Sequence, residues 1–390
     1  MRVIDLQNWR DLCTGCHACV AICPHKAIDM NYEGDGFLYP QIDISRCIDC
    51  GLCAQACPIA QKERGGSPLR VVSGRARDRE IVRQSSSGGM FKLLAQRTLA
   101  EGGVVFGAAF DANEQEVRHC STDEVPLESL LRSKYVQSRI GNAYACAEQA
   151  LKDGRRVLFC ATPCQIHGLE CYLHTRGVEG RLETVDFVCH GVPSPGFFQS
   201  FLRQAQKERQ SKVTNVTFRE KDEGWRTQVT KLYFADGTVW TKESLKHPYY
   251  FFFLKDYCLR DSCYRCKAYR THAADLTLAD DWITSLPKDG AGTSLVFVNT
   301  NTGNRMLADV REAFEFMDVS NEVNDMEVYS HASYDHRKKQ AWLYAWQNKG
   351  FSYVSGRMHR RLSRKAWLLS RVRIVTKAIC RRLKIKPSED

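Results

Sequence analysis

The sequence contains no run of eighteen or more apolar residues, so it offers no candidate transmembrane helix. Its first residues also lack the basic and apolar regions of a secretory signal peptide, and we therefore expect a cytoplasmic, reducing environment. In that compartment, the eighteen cysteines among 390 residues indicate metal ligands or reactive thiols and argue against a disulfide framework.

The positive charge of the chain is concentrated at one end. The formal net charge is +11, but residues 357–390 alone hold twelve Lys or Arg against two acids. The rest of the chain is near neutral, so the composition does not predict a nucleic-acid-binding groove. Apolar residues near helical spacing predict a basic helical tail over residues 351–390. A solvated terminal helix and peripheral contact with an anionic membrane surface are both open interpretations of that tail.

Two cysteine runs dominate the first sixty residues. Each reads Cys-x2-Cys-x2-Cys-x3-Cys-Pro, and the second copy starts 34 positions after the first. This is the spacing of bacterial two-cluster ferredoxins, in which the fourth cysteine of each run ligates the other cluster. Structural zinc is the competing interpretation, but zinc sites usually combine two separated pairs of ligands. The sequence therefore predicts two 4Fe–4S clusters over residues 1–62. One cluster would be held by Cys13, Cys16, Cys19 and Cys57, and the other by Cys47, Cys50, Cys53 and Cys23.

The stretch after the cysteine runs predicts a change of architecture. Residues 63–80 include a Gly-Gly-Ser-Pro segment and are predicted to be a linker. Short apolar strands then alternate with helices, and polar turns lie where a strand gives way to a helix, which is where α/β folds bind ligands. The Ser/Gly turn at residues 85–89 opens a helix whose free N–H groups suit an anion. An ordinary helix cap explains that turn equally well when it is taken alone.

A third group of cysteines follows in the second half of the chain. Cys258, Cys263 and Cys266 have ligand-like spacing, and the fourth ligand of such a site would be Cys189 or Cys164. Buried thiols without a metal are the alternative. Since ferredoxin-type clusters pass single electrons and do not transform a substrate, we expect the downstream module to supply the other end of the electron path.

Several short pieces follow one another in order between residues 81 and 300. The pieces are residues 86–89 (SSGG), 133–138 (SKYVQS), 159–166 (FCATPCQI), 188–194 (VCHGVPS), the Cys263-x2-Cys266 pair and residues 275–282 (DLTLADDW). As an ordered set, and not through any single motif, they resemble the coenzyme F420 hydrogenase/dehydrogenase beta-subunit family.

The resemblance implies a flavin, namely FAD, and a cubane cluster in the same module. It also implies electron flow between iron–sulfur clusters and a two-electron acceptor, which is a deazaflavin in the founding members. By position, the residues lining the flavin would be Ser87, Gly88, Gly89, Lys134, Thr162 and Gln165. The third cluster would be held by Cys189, Cys263 and Cys266, with Cys258 or Cys164 as the fourth ligand.

We therefore expect a multidomain protein of the α+β and α/β classes. A ferredoxin-like two-cluster domain would precede a mixed α/β flavin-binding module and a helical tail. The module would comprise an N-terminal part over residues 81–200 and a C-terminal part over residues 201–350, the latter carrying the third iron–sulfur site. Catalytic residues are not assigned by the pattern.

The expected function is a flavin- and iron–sulfur-dependent oxidoreductase. Its partners would be a redox protein or the ferredoxin pool, and a small two-electron acceptor for which coenzyme F420 is a candidate. Two alternatives stay open. One is a non-catalytic electron-transfer subunit of a larger complex, and the other is a reductase of a sugar, polysaccharide-pathway or pigment substrate that uses no deazaflavin.

Overall fold

The computed structural model describes residues 1–61, 65–243, 246–266, 273–283, 290–323 and 335–382, with side chains through residue 360. Its strands are β1 (Ile28–Tyr32), β2 (Leu38–Ile42), β3 (Arg70–Ala76), β4 (Val104–Asp111), β5 (Glu116–Ser121), β6 (Val157–Cys160), β7 (Leu182–Phe187), β8 (Val213–Glu220), β9 (Val229–Phe234), β10 (Val239–Glu243), β11 (Leu276–Asp280), β12 (Ser294–Val298) and β13 (Phe314–Asp318).

Helices surround these strands. They are α1 (Trp9–Leu12), α2 (Ala18–Ile22), α3 (Leu52–Gln55), α4 (Arg79–Gln84), α5 (Met90–Ala100), α6 (Leu127–Leu130), α7 (Ala143–Lys152), α8 (Pro163–Arg176), α9 (Pro195–Arg209), α10 (Pro248–Leu254), α11 (Asn301–Asp309) and α12 (His336–Arg382). Short 3-10 helices occur at Val3–Asp5, Pro58–Ala60 and Asp261–Arg265.

A sheet of eight strands organises the module that follows the ferredoxin segment. Its strand order is β13-β3-β12-β11-β7-β6-β4-β5. The inner strands β4, β6, β7 and β11 run parallel, whereas β3, β5, β12 and β13 pair antiparallel with their neighbours. A separate antiparallel sheet joins β8, β9 and β10, and β1 with β2 forms the ferredoxin hairpin. The parallel strands end at one edge, where ligands bind in α/β folds.

Both faces of the large sheet are covered by apolar side chains. Along β6, Val157 and Phe159 point to one face and Leu158 to the other, as the period of a strand requires. The first face is packed by α7, α8 and the ferredoxin segment, whose Ala18 and Ile22 belong to the same buried cluster. The ferredoxin segment therefore shares a hydrophobic core with the module behind it.

Prolines and serines fix where two helices begin beside that edge. After β6, α8 starts with Pro163 at its first position, and after β7, α9 starts with Pro195. The missing N–H of a proline has no cost at this position, and its φ suits a helix. Ser194 caps α9 by accepting a hydrogen bond from the Phe197 amide at 3.2 Å. The loops between strand and helix are therefore short and well defined.

The mixed α/β architecture is confirmed, but several predicted boundaries are wrong. Residues 70–76 of the predicted 63–80 linker form β3, an inner strand with buried Val71 and Val72. The first two residues of that linker lie outside the described residues. The module also does not divide at residue 200, because β3 pairs with β12 and β7 pairs with β11. The linker prediction failed because the partners of β3 lie more than two hundred residues away.

The C-terminal region is helical, as predicted, but α12 begins at His336 and not at residue 351. Its backbone breaks at Gly350, where φ is 76° and ψ is 177°. The chain divides into two compact units at this helix, Met1–Asp335 and His336–Asp390. No helix in the described part of the chain combines the length and the apolar character needed to cross a membrane.

Candidate functional site

The first cysteine group brings together the four residues that the crossover pattern predicts. Cys16 and Cys19 are buried, and both interact electrostatically with Cys13 and Cys57. Burial raises the pKa of Cys16 and of Cys19, and the neighbouring thiols raise it further. Burial likewise raises the pKa of Cys57 to about 12. Four converging thiols in an apolar setting fit a cluster that takes them as thiolates.

The second cysteine group lies nearer the surface. Cys53 interacts electrostatically with Cys23 and Cys47, and Cys50 is exposed. Two of the sulfurs accept backbone hydrogen bonds, Cys23 from the Ala27 amide and Cys53 from the Val3 amide, both at 3.3 Å. Hydrogen bonds to ligand sulfurs are among the features that tune a cluster. This group is therefore the accessible end of the ferredoxin segment.

The two motifs fold around their second cysteines in the same way. Gly15 and His17 flank Cys16 with φ of 65° and 64°, and Asp49 and Gly51 flank Cys50 with φ of 52° and 80°. The positions correspond under the 34-residue repeat, but glycine precedes the cysteine in one copy and follows it in the other. Left-handed backbone on both sides turns successive cysteines towards one centre. A non-glycine residue therefore takes this conformation once in each motif.

The third cysteine group is assembled from three separate segments. Cys189 interacts electrostatically with Cys263, Cys164 and Cys266, and the Cys263 sulfur accepts a hydrogen bond from the Val192 amide at 3.4 Å. Among the described residues, no three of these side chains are arranged for a single metal ion. A cubane spreads its four ligands over four irons, so it needs a wider arrangement than one ion does.

Cys258 is the other candidate for the fourth ligand, because it lies close to Cys263 in sequence. In the structure it is 1% exposed and lies beside Tyr249 and Tyr264, which it affects electrostatically. Cys164, at the start of α8, takes the place beside Cys189. The electrostatic interaction with Cys189 therefore favours Cys164 as the candidate for the fourth ligand.

A cavity of about 860 Å³ opens at the carboxyl edge of the parallel strands. It is lined by Cys160 at the end of β6, Phe187 at the end of β7 and Asp280 at the end of β11. Cys189 also lines it, so the cavity adjoins the third cysteine group. Of the residues predicted to contact a flavin, five line this cavity. They are Ser87, Gly89, Lys134, Thr162 and Gln165.

Gly88 and Gly89 are packed closely against other parts of the chain. The sequence pattern alone did not show whether these glycines serve packing or contact with a ligand. The Gly88 amide donates to the Ser294 hydroxyl at 2.8 Å, and a Cβ atom there would lie 2.8 Å from the Ser294 nitrogen. Gly89 precedes α5 with φ of 96°, and a Cβ atom there would lie 2.9 Å from Cγ2 of Ile81. Substituting either residue would disturb the turn itself, so such a variant is a poor test of flavin binding.

The Ser/Gly turn is held from behind by the strand β8 and the loop after it. Lys221 donates from Nζ to the carbonyl oxygens of Val82 (2.7 Å), Ser87 (2.8 Å) and Ala291 (2.7 Å). Trp225 donates from Nε1 to the Ser86 carbonyl at 3.1 Å. These contacts satisfy carbonyl groups and leave the turn fixed at the wall of the cavity.

Arg219 is a cavity residue that sequence reasoning missed. It is 5% exposed, and its φ of 65° places it at an irregularity in the pairing of β8 with β9. Its guanidinium donates to the Asp280 carboxylate at 2.7 Å, to the Tyr135 hydroxyl at 3.2 Å and to the Ser86 carbonyl at 3.3 Å. Burial would lower the pKa of Arg219, but Tyr135 and Asp280 outweigh it and raise the pKa. A lone arginine has no motif that would have identified it.

Lys134 and Gln165 line the cavity, but their polar groups bond to the chain itself. Lys134 donates from Nζ to the carbonyls of Ser129 at 2.8 Å and Leu131 at 2.5 Å. Burial lowers the pKa of Lys134 to about 7. The Gln165 amide oxygen accepts from the Thr162 hydroxyl at 3.0 Å, and its nitrogen donates to the Ser138 carbonyl at 3.0 Å. These residues shape the wall of the cavity.

Two protein families match separate parts of the chain. Residues 12–60 match the family of 4Fe–4S dicluster domains. Residues 154–322 match the family described as the C terminus of the beta subunit in coenzyme F420 hydrogenase/dehydrogenase. The chain joins a 4Fe–4S dicluster domain to an F420 hydrogenase/dehydrogenase beta-subunit region. These two matches confirm the resemblance that was inferred from the sequence.

Individual relatives match over short segments. Ferredoxin-1 of Caulobacter vibrioides is 43% identical over 51 residues, covering 13% of this chain and 41% of that protein. Pyruvate synthase subunit PorD of Methanothermobacter marburgensis is 36% identical over 50 residues, covering 13% and 52%. NADH-quinone oxidoreductase subunit I 2 of Geobacter metallireducens is 38% identical over 65 residues, covering 15% and 49%. The chain therefore spans about half the length of these curated relatives.

One solved structure shows a weaker likeness. It is a chain from a xenon-derivatised F420-reducing NiFe hydrogenase complex of Methanosarcina barkeri, 19% identical, with a TM-score of 0.47. The overlap covers 68% of this chain and 86% of that chain.

The F420 hydrogenase/dehydrogenase beta-subunit match covers one part of the candidate site. Thr162, Cys164, Cys189 and Arg219 lie within residues 154–322, whereas Lys134 and the Ser/Gly turn lie before that range. The cavity is therefore built jointly by the matched region and by the preceding segment of the same sheet.

His119 lies beneath the cavity and is hydrogen-bonded through both ring nitrogens. Its buried position should make the stability of the fold depend on pH. Its Nδ1 lies 2.9 Å from the Ser138 hydroxyl, and its Nε2 lies 3.2 Å from the Cys160 carbonyl oxygen. The neutral ring satisfies both contacts by donating from Nε2 and accepting at Nδ1. Burial lowers the pKa of His119 to about 4. The folded chain therefore keeps this ring neutral at pH values where the unfolded chain protonates it.

We expect His119→Gln to weaken the acid sensitivity of folding. A depressed histidine pKa contributes stability that is present above about pH 6.5 and is lost as the pH falls towards 4. Between pH 7.5 and pH 5, the wild type should lose about 2 kcal/mol more than the variant, since glutamine does not titrate. Urea unfolding at the two pH values measures this. Equal losses in both proteins would contradict the assignment.

Proposed function

We propose that this chain is an iron–sulfur flavoprotein oxidoreductase that exchanges electrons between a redox protein and a small two-electron acceptor. One observation carries the proposal. Cys164 interacts electrostatically with Cys16 of the first ferredoxin group and with Cys189 of the third group, and Cys189 lines the cavity. The cysteine groups therefore form a continuous series from the surface at Cys50 to the cavity wall.

The residues present fit the cofactors that the family implies. The first two groups would each hold a 4Fe–4S cluster, and Cys164, Cys189, Cys263 and Cys266 would hold a third. When bound, the clusters would exchange single electrons and FAD would exchange one or two, which lets one-electron and two-electron partners be connected. The chain supplies the spacing of these groups and the exclusion of water around the buried ones.

The cavity supports FAD as its occupant. Its volume of about 860 Å³ is within the range of cofactor sites. The fixed Ser/Gly turn precedes the eleven-residue helix α5, and Gly89, Met90 and Phe91 at the start of that helix line the cavity, where a helix N-terminus favours an anion. Because the Lys134 ammonium is occupied by carbonyls, we assign the role of phosphate counter-charge to Arg226, an exposed cation on the same wall.

The mouth of the cavity offers a surface for a flat acceptor. Trp282 is 41% exposed there and stacks on Trp225 with ring centroids 4.1 Å apart. The Arg226 guanidinium lies 5.8 Å from the centre of a Trp282 ring. A planar conjugated molecule can stack on such an indole. Coenzyme F420 is the first acceptor we would test.

Reconstitution of the full chain tests the proposal. After anaerobic incubation with iron, sulfide and FAD, followed by desalting, we expect about twelve irons per chain. We also expect one retained flavin, whose absorbance bleaches when a reduced ferredoxin is added. Re-oxidation on addition of coenzyme F420 would identify the acceptor. A protein that holds its iron but never retains a flavin would overturn the flavoprotein assignment and leave an electron-transfer subunit.

A further inference from the structure

Arg260 is buried at the junction between the first ferredoxin motif and the third cysteine group. It is 0% exposed and lies between Cys258 and Cys263 in sequence. Its own amide donates to the Val192 carbonyl at 3.2 Å, and its carbonyl accepts from the Cys263 amide at 3.0 Å. Its backbone is thus part of the loop that carries Cys263, whereas its side chain reaches into the ferredoxin segment.

The guanidinium is directed at Cys13. Its Nε donates to the Cys13 carbonyl at 2.6 Å, and its Nη2 lies 3.5 Å from the Cys13 sulfur. Nη2 also donates to the Leu38 carbonyl at 2.9 Å, and Nη1 donates to the Gln137 side-chain oxygen at 3.0 Å. The charged group lies over the Tyr39 ring, 4.1 Å from its centre. The fork is therefore fixed in position by neutral acceptors on several sides.

The Arg260 side chain is closely packed against Gly15 and cannot move. A Cβ atom built on Gly15 would lie 2.8 Å from Nη1 of Arg260 and 2.9 Å from Nε2 of Gln137. Gly15 lies in the first cysteine motif and already requires a left-handed backbone. The first cysteine motif therefore packs tightly against Arg260. This packing fixes the distance between the guanidinium and the Cys13 sulfur.

The charge of Arg260 has no carboxylate at salt-bridge distance within the described residues. A buried arginine without a paired anion is unfavourable, because nothing offsets the desolvation of its charge. Burial would lower the pKa of Arg260, but Cys13, Tyr39, Asp35 and Cys263 together outweigh it and raise the pKa. The Cys13 sulfur lies 3.5 Å from Nη2 and would carry negative charge as a cluster ligand.

We propose that Arg260 is a positioning residue that raises the reduction potential of the cluster held by Cys13. Reduction adds one negative charge to the cluster, and a fixed cation beside a ligand sulfur stabilises the reduced form. The site is buried, so solvent screens the interaction weakly. This draws electrons from the accessible second group towards the inner first group, next to Cys164. The proposal rests on the ligand assignment given under the proposed function.

The test compares Arg260→Gln and Arg260→Lys with Arg10→Gln in the reconstituted full chain. Arg10 is a matched control, because its guanidinium lies over the same Tyr39 ring at 3.3 Å but pairs with Glu33. Midpoint potentials are read from spin-resonance spectra during a redox titration. Arg260→Gln should lower the reduced-to-oxidised ratio of one cluster at least tenfold at fixed potential, which is about 59 mV for one electron. Arg260→Lys should shift it less, and Arg10→Gln should not shift it.

Unchanged potentials in an iron-replete Arg260→Gln protein would overturn the proposal. If Arg260→Gln loses iron, the Arg260→Lys variant becomes the test. An Arg260→Lys protein that retains its iron and has a near-native reduction potential would support the role of the charge. Loss of iron in both variants would make Arg260 a packing residue and also overturn the proposal. The ligand assignment is tested separately by Cys13→Ser, which should abolish the same spectral signal. Survival of that signal would refute the assignment itself.

Discussion

Replacing Cys164 with serine is expected to remove about four of about twelve irons per chain from the reconstituted protein. Cys164 is the second residue of α8 and interacts electrostatically with Cys189, which in turn interacts with Cys263 and Cys266. Loss of one thiolate from a group that depends on four ligands should empty the site. Metal-site binding energy contributes to folding, so the variant should also unfold at lower denaturant concentration than the wild type.

Two other cysteines serve as controls for this result. Cys171 lies on the same helix and is 3% exposed, so Cys171→Ser tests whether a buried serine on α8 alone disturbs the protein. Cys258→Ser should also keep its iron, because Cys258 lies beside Tyr249 and Tyr264. Iron analysis, together with the spin-resonance signal of the reduced protein, measures the outcome. An iron loss confined to Cys258→Ser would reverse the assignment of the fourth ligand.

The reason that sequence could not choose between Cys164 and Cys258 is geometric. The sulfurs of Cys263 and Cys266 must lie close to each other, because only two residues separate these cysteines in sequence. Cys164 and Cys189 reach that neighbourhood only because β6 and β7 are adjacent parallel strands whose following loops meet at one edge. Sequence proximity favoured Cys258, and the sheet topology favours Cys164.

The same distinction separates the predictions that succeeded from those that failed. The ferredoxin segment could be predicted because its ligands repeat locally, and the left-handed residues beside Cys16 and Cys50 follow the same repeat. By contrast, β3 pairs with β12 and β13 across more than two hundred residues, and local composition suggested a linker at β3. Arg219 and Arg260 were missed because their importance depends on burial and on partners from distant segments.

The cavity shows what a family resemblance can and cannot locate. It indicated several residues that the structure places around one cavity, including Ser87, Thr162 and Gln165. It did not show that Gln165 is 1% exposed and bonded to Ser138 and Thr162. A residue can thus line a site by supporting its wall. Direct contact with a cofactor is a separate property, and it depends on which polar groups remain available.

The packing of α8 against the first cysteine motif leads to the second large expected effect, which concerns Gly168. A Cβ atom at this helical glycine would lie 2.9 Å from the Cys16 Cβ, 3.0 Å from its sulfur and 2.9 Å from the Tyr144 hydroxyl oxygen. None of these neighbours can move easily: Cys16 belongs to the first group, and the Tyr144 hydroxyl donates to the Gln165 carbonyl at 2.7 Å. The absence of a side chain lets the helix approach Cys16 closely.

Gly168→Val should therefore displace Cys16 and remove about four irons, those of the first cluster. Overpacking of this kind also costs about 1–3 kcal/mol in the free energy of unfolding. Iron content and urea unfolding are the measurements.

Gly356→Ala is the matched control for this variant. Gly356 is also interior to a helix, but its Cβ would meet nothing closer than the Arg360 guanidinium at 3.6 Å. The control should keep its iron and gain about 1 kcal/mol from helix propensity. A Gly168→Val protein with full iron and an unchanged Cys16 environment would show that α8 and the ferredoxin segment are not in direct contact here. The proposed electron path from the first cysteine group to Cys164 would then lose its structural basis.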